Sequence, residues 1–381
     1  MILEVGRIVL GLILLVVGAD ALVRGAVALA RRAGISSLLI GLTVVAFGTS
    51  TPEVAVSVES ALMGRGGVAL GNVVGSNVFN ILVVLGLSAV IAPLVVQSQL
   101  VRRDVPLMVL ASLAPVLLGL DGALGRQDGV ILLVGLGGYL AILGLLARRQ
   151  RSDHRNGEVE HAEDAGGTTE AGGPSLPVAL TLGVGGLILL SVGADQLVVG
   201  AVSLAGRLGV SELVVGLTVV AVGTSLPELA TSVAASLRGQ RDLAVGNVVG
   251  SNIFNALGVL GAGAAVSGSI PIPRGMYALD FPVMVAVAVI CLPVFLTGAN
   301  ISRREGAVFL LYYVAYMTYL VLHATDHALY DEFGTVVVAV VLPLTLAVGG
   351  ALTVRGWREE RARGARDVEP GRAPPEDVVP D

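Results

Sequence analysis

The chain has 381 residues, of which 54% are hydrophobic and 14% are charged, and its formal net charge is −5. This apolar composition excludes a soluble globular protein and predicts a polytopic membrane protein. All 24 basic residues are Arg, which excludes chemistry that depends on a Lys amine, and the single Cys291 excludes a disulfide framework or a thiolate metal site.

Eleven apolar windows are long enough to cross about 30 Å of hydrocarbon. Five of them precede a polar stretch, at approximately residues 7–30, 36–63, 68–93, 104–121 and 128–147. Six follow it, at approximately residues 176–205, 211–237, 242–267, 279–298, 305–322 and 334–354. The first window has neither a basic leader nor an Ala-x-Ala cleavage pattern, so we interpret it as a retained helix.

The polar stretch from Arg148 to Pro177 is rich in charge, Gly and Thr and has almost no large apolar residue. Such a segment cannot form a core, so we expect a mobile tether. The predicted organisation is a first five-helix repeat (1–147), a linker (148–177), a second five-helix repeat (178–322), an outer loop with an extra transmembrane helix (323–354) and a polar tail (355–381).

The distribution of Arg predicts the orientation, because cytoplasmic loops keep the positive charge. If the linker is cytoplasmic, the Arg residues that fall inside are Arg31, Arg32, Arg102, Arg103, Arg148, Arg149, Arg238, Arg241, Arg303, Arg304 and those of the tail. Those that fall outside are Arg7, Arg65, Arg126, Arg207 and Arg274. We therefore expect the amino terminus outside, and the linker and the tail in the cytoplasm.

The chain contains an internal duplication, which is sought before other features because it determines the architecture. Residues 41–86 and 216–261 align without a gap at an offset of 175 and are identical at 30 of 46 positions. Since an odd number of spans separates the copies, the second must cross the membrane in the opposite sense. The sequence thus predicts an all-α polytopic membrane protein with two inverted-topology five-helix repeats plus an extra C-terminal transmembrane helix, and substrate sites near the midplane.

The first copy carries Thr49-Ser50-Thr51-Pro52-Glu53 inside a predicted membrane helix. Pro52 has no N–H and clashes with the carbonyl four residues back, so the helix must open there. In lipid, the freed carbonyls near Ala46 and Thr49 need protein, water or a cation as a partner. A carboxylate, hydroxyls and carbonyls thereby converge. The second copy repeats the arrangement with Ala221, Gly223, Thr224, Ser225, Pro227 and Glu228.

Oxygen ligands favour hard ions such as Ca²⁺, Na⁺ or Mg²⁺ over zinc or copper. Two glutamates that meet at the midplane carry two negative charges, which one divalent cation cancels. An unoccupied site with both side chains ionised is costly in the membrane, so monovalent cations or protons should replace the divalent ion. The pattern therefore predicts ion exchange.

The second part of each copy is Gly71-Asn-Val-Val-Gly-Ser-Asn-Val-Phe-Asn80, repeated as Gly246 to Asn255. Asn72, Ser76 and Asn80 fall on one helical stripe at four-residue steps, beside glycines that permit close helix approach. This stretch can serve packing and interhelical hydrogen bonding alone. Beside the Glu-bearing helix, we expect its polar residues to complete the ion shell, namely Ser76, Asn80, Ser251 and Asn255.

Other polar residues are given structural roles. Asp104 and Asp280 precede Pro in corresponding spans and are expected to begin helices. Asp20 is expected to pair with Arg24, with Asp20 and Asp195 on an entry path as the alternative. Glu59 has Ala234 as its counterpart, which leaves it at most an accessory ion contact. The cluster of His323, Asp326 and His327 is expected to be a solvated loop.

The paired GTS-x-PE and GNVVGSN-[VI]-FN motifs resemble the two alpha repeats of the calcium/cation antiporter superfamily, specifically its prokaryotic sodium/calcium exchangers. The resemblance implies that Glu53 and Glu228 are central Ca²⁺ ligands shared with Na⁺, and that Thr49 and Thr224 contribute mainly through backbone carbonyls. It further implies Na⁺ sites on either side of the Ca²⁺ position, formed by Ser50, Ser76, Ser225, Ser251 and the carbonyls of Ala46 and Ala221. Asn80 and Asn255 would occupy the middle of the site. Some relatives carry Asp at the position of Asn255, so Asn in both halves argues against potassium co-transport.

We therefore expect a secondary active antiporter in the cell membrane that expels Ca²⁺ in exchange for Na⁺ by alternating access. The alternatives are a Ca²⁺/H⁺ antiporter on the same scaffold, a cation channel, and a membrane enzyme with carboxylate-based chemistry. The duplication within one chain favours a transporter over a channel, whose filter usually comes from a ring of subunits. Ca²⁺ and Na⁺ are transported substrates, and the lipid bilayer is the surrounding partner. No cofactor, nucleic acid or obligatory protein partner is implied.

Overall fold

The computed structural model describes residues 2–97, 99–164, 174–208, 221–296, 300–325 and 327–336, and these are almost entirely helical. The first half contains α1 (Ile2–Ala33), α2 (Ser37–Thr49), α3 (Thr51–Leu62), α4 (Gly66–Ile91), β1 (Leu94–Val95), α5 (Val105–Leu118), β2 (Ala123–Gly125) and α6 (Arg126–Asp164).

The second half contains α7 (Leu176–Arg207), α8 (Ala221–Gly223), α9 (Leu226–Leu237), α10 (Arg241–Ser267), β3 (Ser269–Pro271), α11 (Arg274–Ala278), α12 (Asp280–Leu296), β4 (Asn300–Ile301), α13 (Arg303–Ala324) and α14 (Tyr330–Val336). The long helices of the two halves follow one another in the same order. This is the succession that the duplicated sequence predicts.

Seven helical stretches in the described part of the chain are long and apolar enough to cross a membrane. They are α1, α4, α6, α7, α10, α11 with α12, and α13. The bent pair of α2 and α3 is long and apolar enough only when the two helices are taken together. Residues 211–220 of the predicted seventh span, residues 337–354 of the predicted eleventh span, and the predicted tail lie outside the described residues.

Helix α6 continues to Asp164, into the stretch expected to be a tether. Its extension from Arg148 contains four Arg and three Glu, residue types with high helix propensity. Residues 165–173 of the predicted linker lie outside the described residues.

Helices α1 and α7 form an antiparallel pair held by glycines at their contact. Gly11 lies against Gly193, and Gly18 lies against Gly186. A Cβ added to Gly18 would come within 2.9 Å of the Gly186 carbonyl oxygen, so only glycine permits this approach. At one end of the pair, Arg207 forms an ion pair of 2.7 Å with Glu4. The opposite faces of both helices expose large apolar residues, as expected for a surface in contact with lipid.

The buried interior is built around α4 and α10, the long helices that carry the GNVVGSN motifs. Their valines Val73, Val74, Val248 and Val249 are at most 1% exposed. Each motif contributes small residues that permit close packing, and in α10 a Cβ at Gly246 or Gly250 would lie 2.7 Å from a backbone oxygen of α2. The broken helix of the first repeat therefore packs against the long helix of the second. The corresponding Gly71 and Gly75 meet no described atom within 4 Å of such a Cβ.

Two short antiparallel strand pairs join the halves outside the helices. Strand β1 pairs with β4, with Leu94 opposite Ile301. Strand β2 pairs with β3, with Leu124 opposite Ile270. Each pair takes one strand from each half, so the loops of the two repeats are hydrogen-bonded to each other.

The expectation that Asp104 and Asp280 both begin helices is wrong for Asp104, because the π-helical turn Leu100–Asp104 runs directly into α5. Asp104 is fully buried and forms an ion pair of 2.9 Å with Arg103. Asp280 begins α12 and accepts a hydrogen bond of 3.1 Å from Tyr316. Because Arg103 and Tyr316 lie within reach, the carboxylates bind these side chains instead of the first-turn N–H groups in the described contacts.

Candidate cation-binding site

The predicted helix break is present in both repeats. Helix α2 ends at Thr49, α3 begins at Thr51, and the two are bent by 46°. In the second repeat α8 ends at Gly223 and α9 begins at Leu226. In each case proline occupies the first turn of the new helix, where its missing N–H costs nothing.

The break places each glutamate in the first turn of a helix. Glu53 lies in the first turn of α3 and Glu228 in that of α9, and both side chains are fully buried. The amino-terminal end of a helix carries a partial positive charge, which stabilises an ionised carboxylate. The backbone therefore offsets part of the cost of holding a negative charge in the interior of a membrane protein.

Each carboxylate is held by a serine of the other repeat. Ser225 donates to Glu53 Oε1 at 3.0 Å, and Ser50 donates to Glu228 Oε1 at 3.1 Å. Ser76 of α4 also donates to Glu53 Oε1, at 3.3 Å. These reciprocal hydrogen bonds bring the two helix breaks together, so the residues of both repeats form one site.

The threonine hydroxyls of both breaks are bonded to protein groups. Thr49 donates to Asn247 Oδ1 and Thr224 donates to Asn72 Oδ1, both at 3.2 Å. Thr49 Oγ1 also lies 3.1 Å from the Val45 carbonyl oxygen and 3.4 Å from that of Ala46, so these acceptors share its one proton with Asn247. The hydroxyl protons of both threonines are therefore directed at protein acceptors.

Asn72 and Asn247 connect the two repeats through these contacts. The amide of Asn72 donates to Ser57 at 2.9 Å and to the Glu53 carbonyl at 3.4 Å. The Asn247 amide makes the same two contacts in the second repeat, to Ser232 at 3.0 Å and to the Glu228 carbonyl at 3.5 Å. Each asparagine therefore ties the helix break of one repeat to the threonine of the other. Asn72 was noted in the sequence only as part of a polar stripe.

Four further asparagines meet where α4 and α10 come together. Asn80 donates to Asn252 Oδ1 at 3.1 Å, and Asn255 donates to Asn77 Oδ1 at 3.2 Å. Asn77 and Asn252 are not among the residues singled out in the sequence analysis. The signal that could have identified them is their presence at equivalent places in both copies of the motif.

Five buried oxygen atoms of the predicted site accept or donate no hydrogen bond within the described part of the protein. They are Glu53 Oε2, Glu228 Oε2, Asn80 Oδ1, Asn255 Oδ1 and Ser251 Oγ. Leaving buried acceptors unpaired is costly in a protein interior. The carboxylate and amide oxygens are acceptors only, so the partner that satisfies them must be a hydrogen-bond donor such as water, or a cation.

Two predicted site residues remain, Ala46 and Ala221. Ala46 is buried, and its carbonyl accepts the Ser50 N–H at 3.0 Å. Ala221 is the first residue of α8. Glu59 lies on α3 but is exposed, outside the buried cluster. The described residues contain no group of three or more His, Cys, Asp or Glu side chains able to hold a metal, so hydroxyl, amide and carbonyl oxygens make up most of the available ligands.

The residues proposed for other roles lie away from this cluster. Asp20 pairs with Arg24 at 2.9 Å and also contacts Arg238 at the end of α9. Asp195 is exposed and accepts a hydrogen bond from the adjacent Gln196. His323 lies in the last turn of α13. Asp326, the middle member of the predicted loop cluster, lies outside the described residues.

Comparison with known proteins identifies the family. The family model described as sodium/calcium exchanger protein matches residues 3–145 and 178–322. The inner membrane protein YrbG of Escherichia coli is 42% identical over 301 residues, which cover 76% of this chain and 88% of YrbG. The sodium/calcium exchanger MaX1 of Methanosarcina acetivorans is 31% identical over 346 residues, which cover 82% of this chain and 97% of MaX1.

The fold is also similar to a solved structure. The sodium-calcium exchanger NCX_Mj, solved after soaking with Na⁺ and Ca²⁺, is 35% identical, with a TM-score of 0.68. The match covers 82% of this chain and 97% of NCX_Mj. These findings confirm the predicted helical membrane fold and the predicted transporter class, and they identify an exchanger, not an enzyme. The chain belongs to the sodium/calcium exchanger family and is an integral, multi-pass membrane antiporter of Ca²⁺ and other cations.

Proposed function

We propose that the protein exchanges Na⁺ for Ca²⁺, and that Glu53 and Glu228 together bind the transported ions. The observation that carries this proposal is the pair of buried carboxylates whose Oε2 atoms have no hydrogen-bond donor among the described residues. Each Oε1 atom is already held by a serine of the opposite repeat. The remaining oxygens are therefore free for a cation that both repeats share.

Charge accounts for the exchange cycle. Two ionised carboxylates match the charge of one Ca²⁺, and the site is costly in the membrane when no cation neutralises it. After Ca²⁺ leaves, other cations must therefore enter the site before the protein can turn the site back to the opposite side of the membrane. Such coupling makes the protein an exchanger and prevents a simple leak.

Several features support Na⁺ as the replacing ion. Serine hydroxyls lie next to each carboxylate, at Ser50, Ser76 and Ser225, and hydroxyl oxygens are hard ligands that suit Na⁺. We assign flanking Na⁺ positions to these serines, to Ser251 and to the carbonyls of Ala46 and Ala221. The relative MaX1 is named a sodium/calcium exchanger, and NCX_Mj was solved with Na⁺ and Ca²⁺.

The other proposed ligands complete the Ca²⁺ position. Thr49 and Thr224 lie at the two helix breaks and would contribute main-chain carbonyls, because a helix end leaves carbonyls without an intrahelical partner. Asn80 and Asn255 would contribute their unpaired Oδ1 atoms. Two amides in place of additional carboxylates keep the charge of the site at −2, which one Ca²⁺ balances without K⁺.

A Ca²⁺/H⁺ antiporter is the second candidate, because buried carboxylates can also bind protons. Purified protein in proteoliposomes separates the two drivers. Uptake of ⁴⁵Ca²⁺ into vesicles loaded with Na⁺, at equal pH on both sides, is expected to exceed uptake into vesicles loaded with choline. Uptake that requires a pH gradient and ignores Na⁺ would assign the proton as the driving ion and refute the sodium proposal.

A further inference from the structure

The asparagine cluster between α4 and α10 contains two residues that are not needed as ion ligands. Asn77 and Asn252 are each 1% exposed, and both of their side-chain oxygens already accept a hydrogen bond. Their position in the motif is one residue after the serine and three residues before the asparagine of the predicted site. What these two side chains do can be derived from the hydrogen-bond chemistry of their neighbours.

The orientation of both amides is fixed by groups that can only accept. Asn252 Nδ2 donates to the Asn77 carbonyl oxygen at 3.3 Å and lies 3.8 Å from the Met108 sulfur. Asn77 Nδ2 donates in turn to the Asn252 carbonyl oxygen at 3.2 Å and lies 3.8 Å from the Met284 sulfur. Because a carbonyl and a thioether have no proton to donate, the NH₂ group must face them in both residues.

The orientation of Asn252 and Asn77 fixes the orientation of the two asparagines that contact them, Asn80 and Asn255. With its NH₂ group directed at acceptors, Asn252 presents Oδ1 to Asn80, so Asn80 must turn its own NH₂ group toward Asn252. Asn77 imposes the same orientation on Asn255. The atoms left over are Asn80 Oδ1 and Asn255 Oδ1, which are buried and have no hydrogen-bond partner among the described residues. Each is an acceptor on a side chain whose other end is held.

Helix periodicity places Asn80 on the face of α4 that is directed at Glu53. Asn80 lies four residues after Ser76, which donates to Glu53, so Ser76 and Asn80 share one face of α4. An amide that turned its NH₂ group to that face would direct two donors at a cation. An amide that presents its oxygen stabilises the same cation. Because the orientation is already fixed, ion binding does not have to supply the free energy of fixing it.

We propose that Asn77 and Asn252 are positioning residues that orient the amides of Asn255 and Asn80, respectively, so that both present oxygen to the transported Ca²⁺. The proposal rests on the proposed function, since it takes the site between Glu53 and Glu228 as the place where Ca²⁺ binds. Each repeat thereby sets the orientation of a ligand that belongs to the other.

A double-mutant cycle on purified full-length protein tests the proposal, with Ca²⁺ binding measured by titration. N252V removes the acceptor that holds the Asn80 amide, so the Asn80 oxygen is no longer held toward Ca²⁺. Loss of one polar interaction with a charged partner is expected to weaken Ca²⁺ binding about ten- to hundredfold. N80D makes the orientation irrelevant, because both atoms of a carboxylate are oxygens. In the N80D background, N252V should therefore weaken Ca²⁺ binding little or even strengthen it.

The matched control is N255D, which adds the same charge on the residue that Asn77 orients. In that background N252V should retain its full effect on Ca²⁺ affinity. The mirror cycle of N77V with N255D, and with N80D as its control, should give the same pattern. If N252V does not purify as a monodisperse protein, N252A is measured in the same cycle, since it removes the acceptor without adding bulk.

A purely structural role of Asn252 would weaken Ca²⁺ binding by the same factor in all three backgrounds, and that result would overturn the proposal. So would an unchanged affinity in N252V or N252A. Failure of the proposed function is distinguishable, because E53Q would then bind Ca²⁺ as tightly as the unsubstituted protein. The measurement uses Ca²⁺ alone and does not depend on which ion drives transport.

Discussion

Replacing Glu53 or Glu228 by glutamine tests the proposed site directly. In E53Q, the amide oxygen can still accept from Ser225 and Ser76, which places the new NH₂ group where the unpaired Oε2 atom lies. The substitution therefore removes one of two negative charges and directs donors at the cation. Removing one partner of a buried pair of opposite charges, here the Glu53 carboxylate and Ca²⁺, costs about 3–5 kcal/mol. This corresponds to a loss of Ca²⁺ affinity of about 10²- to 10⁴-fold.

Thermal unfolding with and without Ca²⁺ measures this effect together with folding. A ligand that binds only the folded state stabilises it by about 2.7 kcal/mol at a concentration of 100 times Kd. The unsubstituted protein should therefore melt at a higher temperature in Ca²⁺, whereas E53Q and E228Q should not respond. Without Ca²⁺, both variants should be at least as stable as the unsubstituted protein, because one of two buried like charges is removed. Exchange of ⁴⁵Ca²⁺ in proteoliposomes should be lost in both.

The control is E59Q, the same substitution on the same helix at an exposed position outside the cluster. It should retain the response to Ca²⁺ and the exchange activity. If E53Q and E228Q exchange Ca²⁺ at the rate of E59Q, the two carboxylates do not bind the ion and the proposed site is wrong.

Three further predictions concern packing, the shared network and topology. G186A should lower the free energy of unfolding by about 1–3 kcal/mol, because its Cβ would lie 2.6 Å from a backbone nitrogen of α1. The control G185A, whose Cβ would meet nothing within 4 Å, should leave stability unchanged, and equal melting temperatures of the two variants would contradict this prediction. N72A, which removes hydrogen bonds to both repeats, should cost about 1–3 kcal/mol of stability and weaken Ca²⁺ binding, and an unchanged titration and melting curve would contradict this. If the linker is cytoplasmic, a cysteine introduced at the exposed Ser152 should react with an impermeant maleimide in inside-out vesicles only. Cys291 is buried, which keeps background labelling low, and labelling in intact cells would reverse the predicted orientation.

The sequence was sufficient to predict the features that arise from strong local chemistry. Pro52 cannot continue a helix, so the break between α2 and α3 follows from the residue itself. The duplication then predicted a second break near Pro227, where α9 begins. Hydropathy located most of the long spans, because a helix that faces lipid must remain apolar over its whole length. The predicted span at 104–121 is the exception among the described residues, since α5 is not among the helices that are long and apolar enough to cross a membrane.

Features that depend on one-residue shifts and on contacts between repeats were not predicted. The π-helical turns Asn80–Leu85 and Phe254–Val259 leave no mark on the hydrophobic pattern, because both flanking helical faces are buried. Asn77 lies one position away from the polar stripe, so the four-residue spacing did not identify it. Its hydrogen bond to Asn252 joins residues 175 apart, and only the folded structure brings them together.

The reciprocal hold of each glutamate by the opposite repeat has a consequence for biosynthesis. Glu53 enters the membrane before its donor Ser225 exists, and the two are separated by 172 residues. At 5–20 residues per second, the ribosome needs roughly 10 to 35 seconds to supply that donor. During this interval a carboxyl group inside an immature bundle lacks its final partner. We therefore expect the nascent first half to remain beside the insertion machinery until the second half is inserted. If the two halves are expressed as separate chains, each should be stable only when the other is made in the same cell.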